Sequence, residues 1–290
     1  AKGCFGKLCS DSGPPPGDAQ NVIRMNRDTP YTAGIFDLTT PLTIVKPDIG
    51  KRFQSMLIIS EDHYNPLIAY APGTYTLTQE SVGSRYVAVL FRTFMDPNDP
   101  KDVAAAHVAQ DAIKVSQADP GKFEIPDWDQ DQRAKLSGIL ASLMGFTGDS
   151  RGMFGPKDKV DPVRHLIGTA AGWGGNPIED AKYISGVVPS NDGNTPYVLT
   201  VKDVPVDGFW SITVYNAKGF FEAPENAISV NNVTGKRNKD GSMTIHFGGD
   251  PNASNYLRIM PGWNYLVRLY RPRAEILDGR WTFPEAQPAR

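Results

Sequence analysis

Short runs of apolar residues, and stretches in which apolar and polar residues alternate, occur along both halves of the chain and predict β-strands. In the first half the runs are FQSMLIIS from Phe53, TYTLT from Thr74 and RYVAVLFRTF from Arg85. Upstream of them, the alternating segment VIRMNRDTPYTAGIFDL begins at Val22 and predicts a half-buried strand with one polar face. These strands favour a meander or sandwich sheet in the first half of the chain.

The second half repeats the order of these runs. Thr29-Pro30-Tyr31 reappears as Thr195-Pro196-Tyr197, and FWSITVYN, SMTIHFG and NYLVRLYRPR follow the second copy in turn. Four ordered matches at changing spacing favour an internal duplication with altered loops, although β-branched and aromatic residues can also resemble one another by chance. We therefore predict a mainly β protein with two related domains and a few intervening helices.

Two segments between the repeats have helical patterns. The first is predicted from about Asp102 to Gln117, with His107 and Asp111 one turn apart on the same face. The second is predicted to begin near the N-cap Asp127 and to carry an apolar stripe. The members of that stripe are Leu136, Ile139, Leu140, Leu143 and Met144.

These patterns divide the chain into three predicted parts. Residues 1–20 are predicted to form a flexible tail, residues 21–150 an N-terminal β domain with two helices, and residues 151–290 a C-terminal β domain. The Gly- and Pro-rich residues 145–162 are interpreted as the linker.

Composition excludes several classes of function. The 290 residues carry a net charge of -2, which leaves no basic surface for nucleic acid, and no apolar run approaches the length of a membrane span. The two cysteines, Cys4 and Cys9, can form a small disulfide loop or remain unpaired thiols. Their spacing matches neither a zinc motif nor a redox motif.

The motif-like strings do not fit their contexts. The GDSRG string at 148–152 follows a helical pattern instead of the strand that a nucleophile elbow requires. Asp127, Asp129 and Asp131 lack the glycine and glutamate of a calcium-binding EF-hand loop. The Gly-rich GWGGNP at 172–177 matches no phosphate-binding loop, so no nucleotide cofactor is expected.

Candidate chemistry comes from polar residues at the predicted strand ends and on the first helix. A histidine beside carboxylates can act as a general base or metal ligand, so a divalent metal stays open, and arginines can bind an anionic group. The predicted catalytic residues are His63, His107, Asp111, Asp28 and Glu61, and the predicted substrate-binding residues are Arg24, Asn26, Arg27, Tyr31 and Tyr64. The alternative interpretation is a buried ion-pair network that fixes the strand ends, with satisfied histidines at a domain edge.

The same segments carry a family resemblance. VIRMNRDTPYTAGIFDL, SEDHYNPLIAYAPGTYTLT, SRYVAVLFRTFMDPNDPKD and HVAQDAIKV resemble the domain of unknown function 1254, and DGFWSITVYNAKGFF, DGSMTIHFGG and NYLVRLYRPRAEILDGRWTFPE resemble the domain of unknown function 1214. The resemblance implies two jelly-roll-like antiparallel β-sandwich domains and, often, export from a bacterial cell, but it supplies no reaction or cofactor. The chain departs from the family pattern at Pro30 and Thr32 and lacks the upstream helical segment.

Two functions follow as hypotheses. The first is an enzyme that acts on a polar small molecule or glycan at a charged rim of the N-terminal domain. The second is a noncatalytic binding or assembly module of the cell envelope. A periplasmic or secreted location is expected, with a cytoplasmic one as the alternative, and a homo-oligomer stays open.

Overall fold

The computed structural model describes residues 3–13, 20, 24–222 and 224–289 and is mainly β. Its contacts divide the chain into two compact units. The first contains the described residues up to Gly13 together with Thr29–Ile178, and the second contains the described residues of Pro14–Asp28 together with Glu179–Arg290. The mainly β prediction is confirmed, whereas its jelly-roll detail is not.

The first unit is built from two antiparallel sheets. Their strands, as far as the structure describes them, are β1 (Cys9–Ser10), β2 (Tyr31–Asp37), β3 (Leu42–Lys46), β4 (Gln54–Ser60), β5 (Leu67–Ala69), β6 (Gly73–Leu77), β7 (Tyr86–Thr93) and β8 (Lys114–Gln117). The larger sheet has the order β1-β2-β7-β4-β5, and the smaller one has the order β6-β3-β8.

The described helices of the first unit are four α-helices, each of which begins at a side chain that caps a free N–H group, and one 3-10 helix without such a cap. They are α1 (Gln79–Val82), α2 (Pro100–Asp111), α3 (Gln130–Ser142), a 3-10 helix (Leu143–Phe146) and α4 (Pro162–Ala171). Asp99, Asp129 and Asp161 cap α2, α3 and α4, and each carboxylate accepts hydrogen bonds from the first turn. None of the described helices is long and apolar enough to cross a membrane.

The second unit repeats the two-sheet design. Its described strands are β9 (Ala181–Gly186), β10 (Tyr197–Val201), β11 (Trp210–Tyr215), β12 (Ser229–Asn231), β13 (Met243–Phe247), β14 (Tyr256–Leu257), β15 (Asn264–Tyr270) and β16 (Gln287–Pro288). One sheet has the order β12-β11-β15-β9 and the other β14-β13-β10-β16. A 3-10 helix (Glu225–Ala227) and α5 (Ala274–Leu277) lie between strands.

The strand orders of the two units correspond. The order β2-β7-β4-β5 matches β9-β15-β11-β12, and the order β6-β3-β8 matches β13-β10-β16. A helix also precedes the last strand in both, α2 before β8 and α5 before β16. Shared topology at this level supports the predicted duplication.

The Thr-Pro-Tyr match, in contrast, is not equivalent in the two units. Tyr31 begins β2, which pairs with β7, whereas Tyr197 begins β10, whose counterpart in the first unit is β3. The other three matched runs fall on equivalent strands, β4 with β11, β6 with β13 and β7 with β15. A short tripeptide was therefore a poorer guide to the repeat than the longer apolar runs.

In each unit the two sheets face one another across an apolar core. Alternate residues of the paired strands point inward, as in Met56 and Ile58 of β4, and every residue of β4 is buried. In the second unit Trp263 is fully buried between the aromatic rings of Phe247 and Tyr265. The large core of this unit stabilises it by removing apolar area from water.

The same row of three polar side chains occurs in both units. It lies on the outer face of the larger sheet of the first unit and on the corresponding sheet of the second unit, β12-β11-β15-β9. In each row a tyrosine and a serine lie opposite an arginine on the strand between them. The members are Tyr31, Arg92 and Ser55 in the first unit and Tyr183, Arg268 and Ser211 in the second.

Several predicted boundaries differ from the structure. The helix predicted from about Asp102 to Gln117 ends at Asp111, because Ile113 is buried and Lys114–Gln117 pairs with β3 as a strand. Residues 145–162 are not a linker between the units, since α3 and α4 pack against one another within the first unit. The contacts divide the chain at Ile178 instead of near residue 150.

Part of the predicted N-terminal tail is ordered by pairing. Cys4 and Cys9 form a disulfide, and Cys9 pairs with Ala33 of β2. The ring of Phe5 packs against the rings of Tyr86 and Phe123. The disulfide decides between the two alternatives that the cysteine spacing left open.

Candidate functional site

The polar segment predicted as a substrate site belongs to the second unit, where Arg268 of β15 organises it. The guanidinium of Arg268 donates to the hydroxyl of Tyr215 at 2.6 Å and to Thr213 Oγ1 at 3.0 Å. It also donates to the main-chain carbonyl groups of Arg24 at 2.8 Å and Met25 at 3.1 Å. Arg268 therefore holds this segment against the outer face of its sheet.

Asp28 is the acidic member of this group and is 2% exposed. Its Oδ2 accepts from Ser211 Oγ at 2.6 Å, and its Oδ1 accepts from Asn231 Nδ2 at 3.4 Å. Burial raises the pKa of Asp28, while the positive charge of Arg268 and the two hydrogen bonds oppose that shift. Both oxygens of the Asp28 carboxyl group therefore contact protein groups.

The remaining predicted residues of the segment are also held by the second unit. Asn26 donates to the hydroxyl of Tyr270 at 2.9 Å, and the guanidinium of Arg27 lies over the ring of Phe221 at 5.6 Å. Asn26 is 7% and Arg27 is 3% exposed, which leaves little surface for a substrate. Asn26, Arg27 and Asp28 thus belong to one buried polar network of the second unit.

His63 lies in the first unit, in the loop after β4, at a positive φ of 65°. Its Nε2 accepts the main-chain N–H of Gly174 at 2.7 Å, so we assign the proton to Nδ1, which faces Thr169 Oγ1 at 3.5 Å. Burial, with the nearby His165 as a second cause, lowers the pKa of His63 to about 4. The ring is neutral near pH 7, and its lone pair is already used to hold Gly174.

His165, on α4, joins the loop after β4 to the segment around Met153. Its Nδ1 lies 2.8 Å from the carbonyl oxygen of Met153, and its Nε2 lies 2.9 Å from that of Asp62. The ring of Tyr64 stacks on it with centroids 4.4 Å apart. The sequence ranked His165 below His63, because nothing in its local pattern signals a contact 103 residues away.

The predicted pair of His107 and Asp111 does not form among the described hydrogen bonds. His107 Nε2 contacts the carbonyl oxygen of Ser12 at 2.8 Å, and Asp111 is exposed, with its main-chain carbonyl accepting from Lys114 Nζ. Both residues lie on α2 as predicted, but the imidazole of His107 points to the main chain at Ser12, just after β1, and not to the carboxylate of Asp111.

In the first unit, Glu61 and Tyr31 contact residues other than His107 in the described hydrogen bonds and ring contacts. Glu61 Oε2 accepts the N–H of Tyr86 at 3.1 Å, and the ring of Tyr31 lies 5.5 Å from the guanidinium of Arg92. The structure therefore brings His63 and Tyr64 together through His165, and it brings Arg24, Asn26 and Asp28 together in the other unit. Within the described residues no group of histidine, cysteine and acidic side chains could hold a metal ion.

An open cleft of about 630 Å³ lies beside the N-terminus of α4 in the first unit. Its lining is charged, and Asp149 contacts Arg164 at 3.4 Å and Arg151 at 3.7 Å. Lys159 and Asp158 also line it and are well exposed. The cleft thus presents paired charges of both signs to solvent and no buried titratable side chain.

The first unit also carries exposed apolar side chains. Among the described residues, exposed large apolar side chains concentrate between residues 123 and 173. They are Phe123, Ile125, Trp128, Leu136, Ile139, Leu143, Phe146, Val163, Leu166 and Trp173.

Four of these side chains follow one another along α3 and the 3-10 helix that continues it. Leu136 is 59%, Ile139 64%, Leu143 40% and Phe146 88% exposed, and we call this set the α3 seam. The sequence predicted the first three as an apolar stripe but could not show that they face solvent. Phe146 was missed because it lies beyond the α-helical pattern.

Comparison with known families matches two models. The model of the family described as protein of unknown function DUF1254 matches residues 7–117, and that of the family described as protein of unknown function DUF1214 matches residues 188–274. The first model thus matches the N-terminal part of the chain and the second its C-terminal part, in the order that the sequence resemblance implies. The α3 seam lies in the interval between the two matched ranges.

Solved structures support the same fold. The VPA0106 protein from Vibrio parahaemolyticus is similar with a TM-score of 0.75 and 19% identity, over 92% of this chain and 90% of that one. A putative uncharacterized protein from Burkholderia cenocepacia is similar with a TM-score of 0.57 and 13% identity, over 98% of this chain and 81% of that one. No curated protein matches the sequence.

Proposed function

We propose that this chain is a noncatalytic binding module that docks to a folded protein partner through the α3 seam. The observation that carries the proposal is the concentration of exposed apolar side chains in one segment of the first unit. Large exposed apolar patches mark sites of protein association, because solvating them is unfavourable.

The place of this segment in the repeat adds support. The strands of the two units correspond from β2 to β8 and from β9 to β16, so residues 118–178 are additional to the duplicated framework. Both family models also leave this interval unmatched. A helical segment added to a duplicated β framework is a natural place for a function that the framework itself does not supply.

The state of the predicted catalytic groups favours a noncatalytic role. A general base needs a free lone pair within reach of substrate. The lone pair of His63 accepts from Gly174, and Asp28 is 2% exposed, out of reach of solvent, with each oxygen in a hydrogen bond to a protein group. These bonds account for the burial of both side chains without a substrate.

We place the module in the periplasm or outside the cell. The support is the disulfide between Cys4 and Cys9, since disulfides persist in oxidising compartments.

A second candidate function is the binding of a polar small molecule or glycan. The charged cleft beside α4 is the place in the first unit that favours it.

Site-directed photo-crosslinking tests the docking surface. A photoreactive phenylalanine analogue is placed at Ile139 or Phe146 in cells that naturally produce the protein, and at Val233 as an exposed control in the second unit. We expect protein adducts from both α3 seam positions and none from the control.

Two results would overturn the proposal. One is the absence of adducts from both seam positions in protein that folds normally. The other is saturable turnover of a polar small molecule or glycan that His63→Ala abolishes while the variant stays folded.

A further inference from the structure

We infer that one end of the core of the first unit, around Lys46 of β3, binds a small carboxylate that also carries a hydroxyl group. The site is separate from the α3 seam and from the charged cleft beside α4. It is carried by a buried lysine that forms no ion pair among the described residues, by space beside that lysine, and by the apolar residues that occupy the same positions in the second unit.

Lys46 is the last residue of β3 and lies on the core side of that strand. It shares this face with Leu42 and Ile44, which belong to the core, and it is 3% exposed. Within the part of the chain that the structure describes, its ammonium forms neither a hydrogen bond nor an ion pair. Burial lowers the pKa of Lys46, and the carboxylate of Asp48 opposes that shift only in part. Burying an ammonium is costly unless an anion pairs with it, and an anionic ligand would supply that pair.

Gln54 lies at the same end of the core, on the facing sheet. Residues 47–53 connect β3 directly to β4, of which Gln54 is the first residue. It shares a face of β4 with Met56 and Ile58 of the core. Its Nε2 donates to Thr93 Oγ1 at 3.0 Å, whereas its Oε1 is buried and accepts no hydrogen bond from the described residues. This end of the core therefore offers both a cation and an acceptor oxygen.

Space for a ligand lies beside Lys46 on the neighbouring strand. Lys46 pairs with Gly73 of β6, and residues paired in this way point to the same face of a sheet. A Cβ atom added at Gly73 would meet only the ring of Tyr75 within 4 Å, at 3.8 Å. Gly73 is exposed, so this space opens to solvent. The rings of Phe53 and Tyr70, 5.8 Å apart, join the start of β4 to the connection that leads into β6.

The second unit fills the same end of its core with apolar side chains. The registers of the paired strands, together with the repeated arginine row, give the corresponding positions. They are Lys46, Gly73, Gln54 and Thr93 in the first unit and, in the same order, Val201, Met243, Trp210 and Leu269 in the second. All four residues of the second unit are buried in its core. The framework thus does not require polar residues at this end, which favours a function for those of the first unit.

The two polar groups select the chemistry of the ligand. The ammonium of Lys46 pairs with a carboxylate, and Oε1 of Gln54 accepts from a donor on the same molecule. A hydroxyl group is a better donor here than an ammonium group, because a second cation would be repelled by Lys46. The ligand takes the place of volume that Met243 and Trp210 fill in the second unit, which limits it to a small hydroxy acid.

Isothermal titration calorimetry of the purified full chain with lactate tests the inference. We expect saturable binding at one site, with sodium chloride at equal ionic strength as the control. Propanoate, which lacks the hydroxyl group, should bind about threefold to tenfold more weakly. Lactamide, which lacks the charge, should bind about tenfold more weakly or less well still.

Two variants separate the two contacts. Lys46→Met keeps an apolar stem and removes the ammonium, so it should weaken lactate binding about tenfold or more. It should also raise the melting temperature, because it removes a buried charge that lacks a partner. Gln54→Leu should bind lactate and propanoate equally, and it tests the same site if Lys46→Met does not fold. Lys51→Met, exposed on the connection between β3 and β4, is the matched control and should bind lactate like the parent chain.

Circular dichroism of each variant shows whether it is folded, and three results would then overturn the inference. One is the absence of saturable lactate binding by the parent chain. Another is equal lactate affinity in the parent chain and in folded Lys46→Met, or an unchanged preference for lactate over propanoate in folded Gln54→Leu. The third is lactate binding that is lost in Lys159→Met, which would place the ligand in the charged cleft beside α4. None of these results alters the crosslinking expected from the α3 seam.

Discussion

The two units place an arginine at the same position of the same strand, yet the two arginines hold different kinds of segment. In the second unit Arg268 donates to the carbonyl groups of residues 24 and 25, which come from the other end of the sequence. In the first unit Arg92 donates to the carbonyl of Gly174 at 2.6 Å and to Asn176 Oδ1 at 3.0 Å. Both units therefore use an arginine at this position to bind a segment that covers the sheet, but the segment differs: residues 24 and 25 in the second unit, and Gly174 and Asn176 in the first.

The difference shows how a duplicated framework can acquire a new role. In the second unit the covering segment completes a closed polar network around Asp28. In the first unit the covering segment follows α4, the helix that packs against α3. Because the same arginine position can bind either segment, one unit uses it to close a polar network and the other uses it to hold the segment that follows α4.

Removing each arginine should have the largest effect and should separate the two copies. Arg268→Met leaves Asp28 buried without its nearby positive charge, and we expect the free energy of unfolding to fall by about 3 to 5 kcal/mol. Arg92→Met removes bonds to a carbonyl and an amide oxygen, and we expect a loss of about 1 to 3 kcal/mol. Urea unfolding followed by circular dichroism measures both, and equal losses would contradict the contrast between the units.

The pH dependence of stability should expose His63 in the first unit. Its native pKa of about 4 lies below the ordinary value of 6.5, so between these values the unfolded chain binds more protons than the native one. Stability contributed by this group is complete above the unfolded pKa and falls as the pH decreases towards 4. We expect a loss of about 2 kcal/mol between about pH 7 and about pH 5.

His63→Asn provides the matched control for that measurement. Asparagine tolerates the positive φ of this position and cannot take up the proton. The variant should show a shallower dependence of unfolding free energy on pH than the parent chain. Identical slopes for the two proteins would show that His63 does not titrate as described.

The two serines of the repeated row should differ in the same direction as the two arginines, and the smallest effect of all is expected at Ser55. Ser211→Ala removes a 2.6 Å hydrogen bond to the buried carboxyl of Asp28, and we expect a loss of about 1 to 3 kcal/mol. Ser55 occupies the same position on β4, and its hydroxyl makes no side-chain hydrogen bond seen among the described residues, so Ser55→Ala should change stability by about 0.5 kcal/mol or less. A larger loss at Ser55 than at Ser211 would reverse the comparison.

Much of the framework could be predicted because its signals are local. The runs that start at Phe53, Arg85 and Phe209 are long and apolar, and they became β4, β7 and β11. The strand Lys114–Gln117 was predicted as the end of a helix, because its residues fit either pattern until pairing with β3 decides. Short segments have too few residues for periodicity to distinguish the two.

The candidate site was less predictable, since it depends on partners far along the chain. Arg24 and Asp28 were singled out as site residues from the sequence, but their partners lie about 200 residues away, as in the bond from Ser211 to Asp28. His63 was singled out as a base, and only its contact with Gly174 shows that its lone pair is used. A sequence marks a buried polar residue as costly without showing what compensates it.

The chain by itself therefore determines the long apolar strands, their repeated order and the apolar stripe of α3, because side-chain periodicity follows from backbone geometry. Tertiary structure alone decides that the stripe faces solvent, that Asp28 is closed among neutral donors and that two equivalent arginines fasten unrelated segments. Burial and hydrogen bonding depend on which distant residues come into contact, and local periodicity carries no record of those contacts.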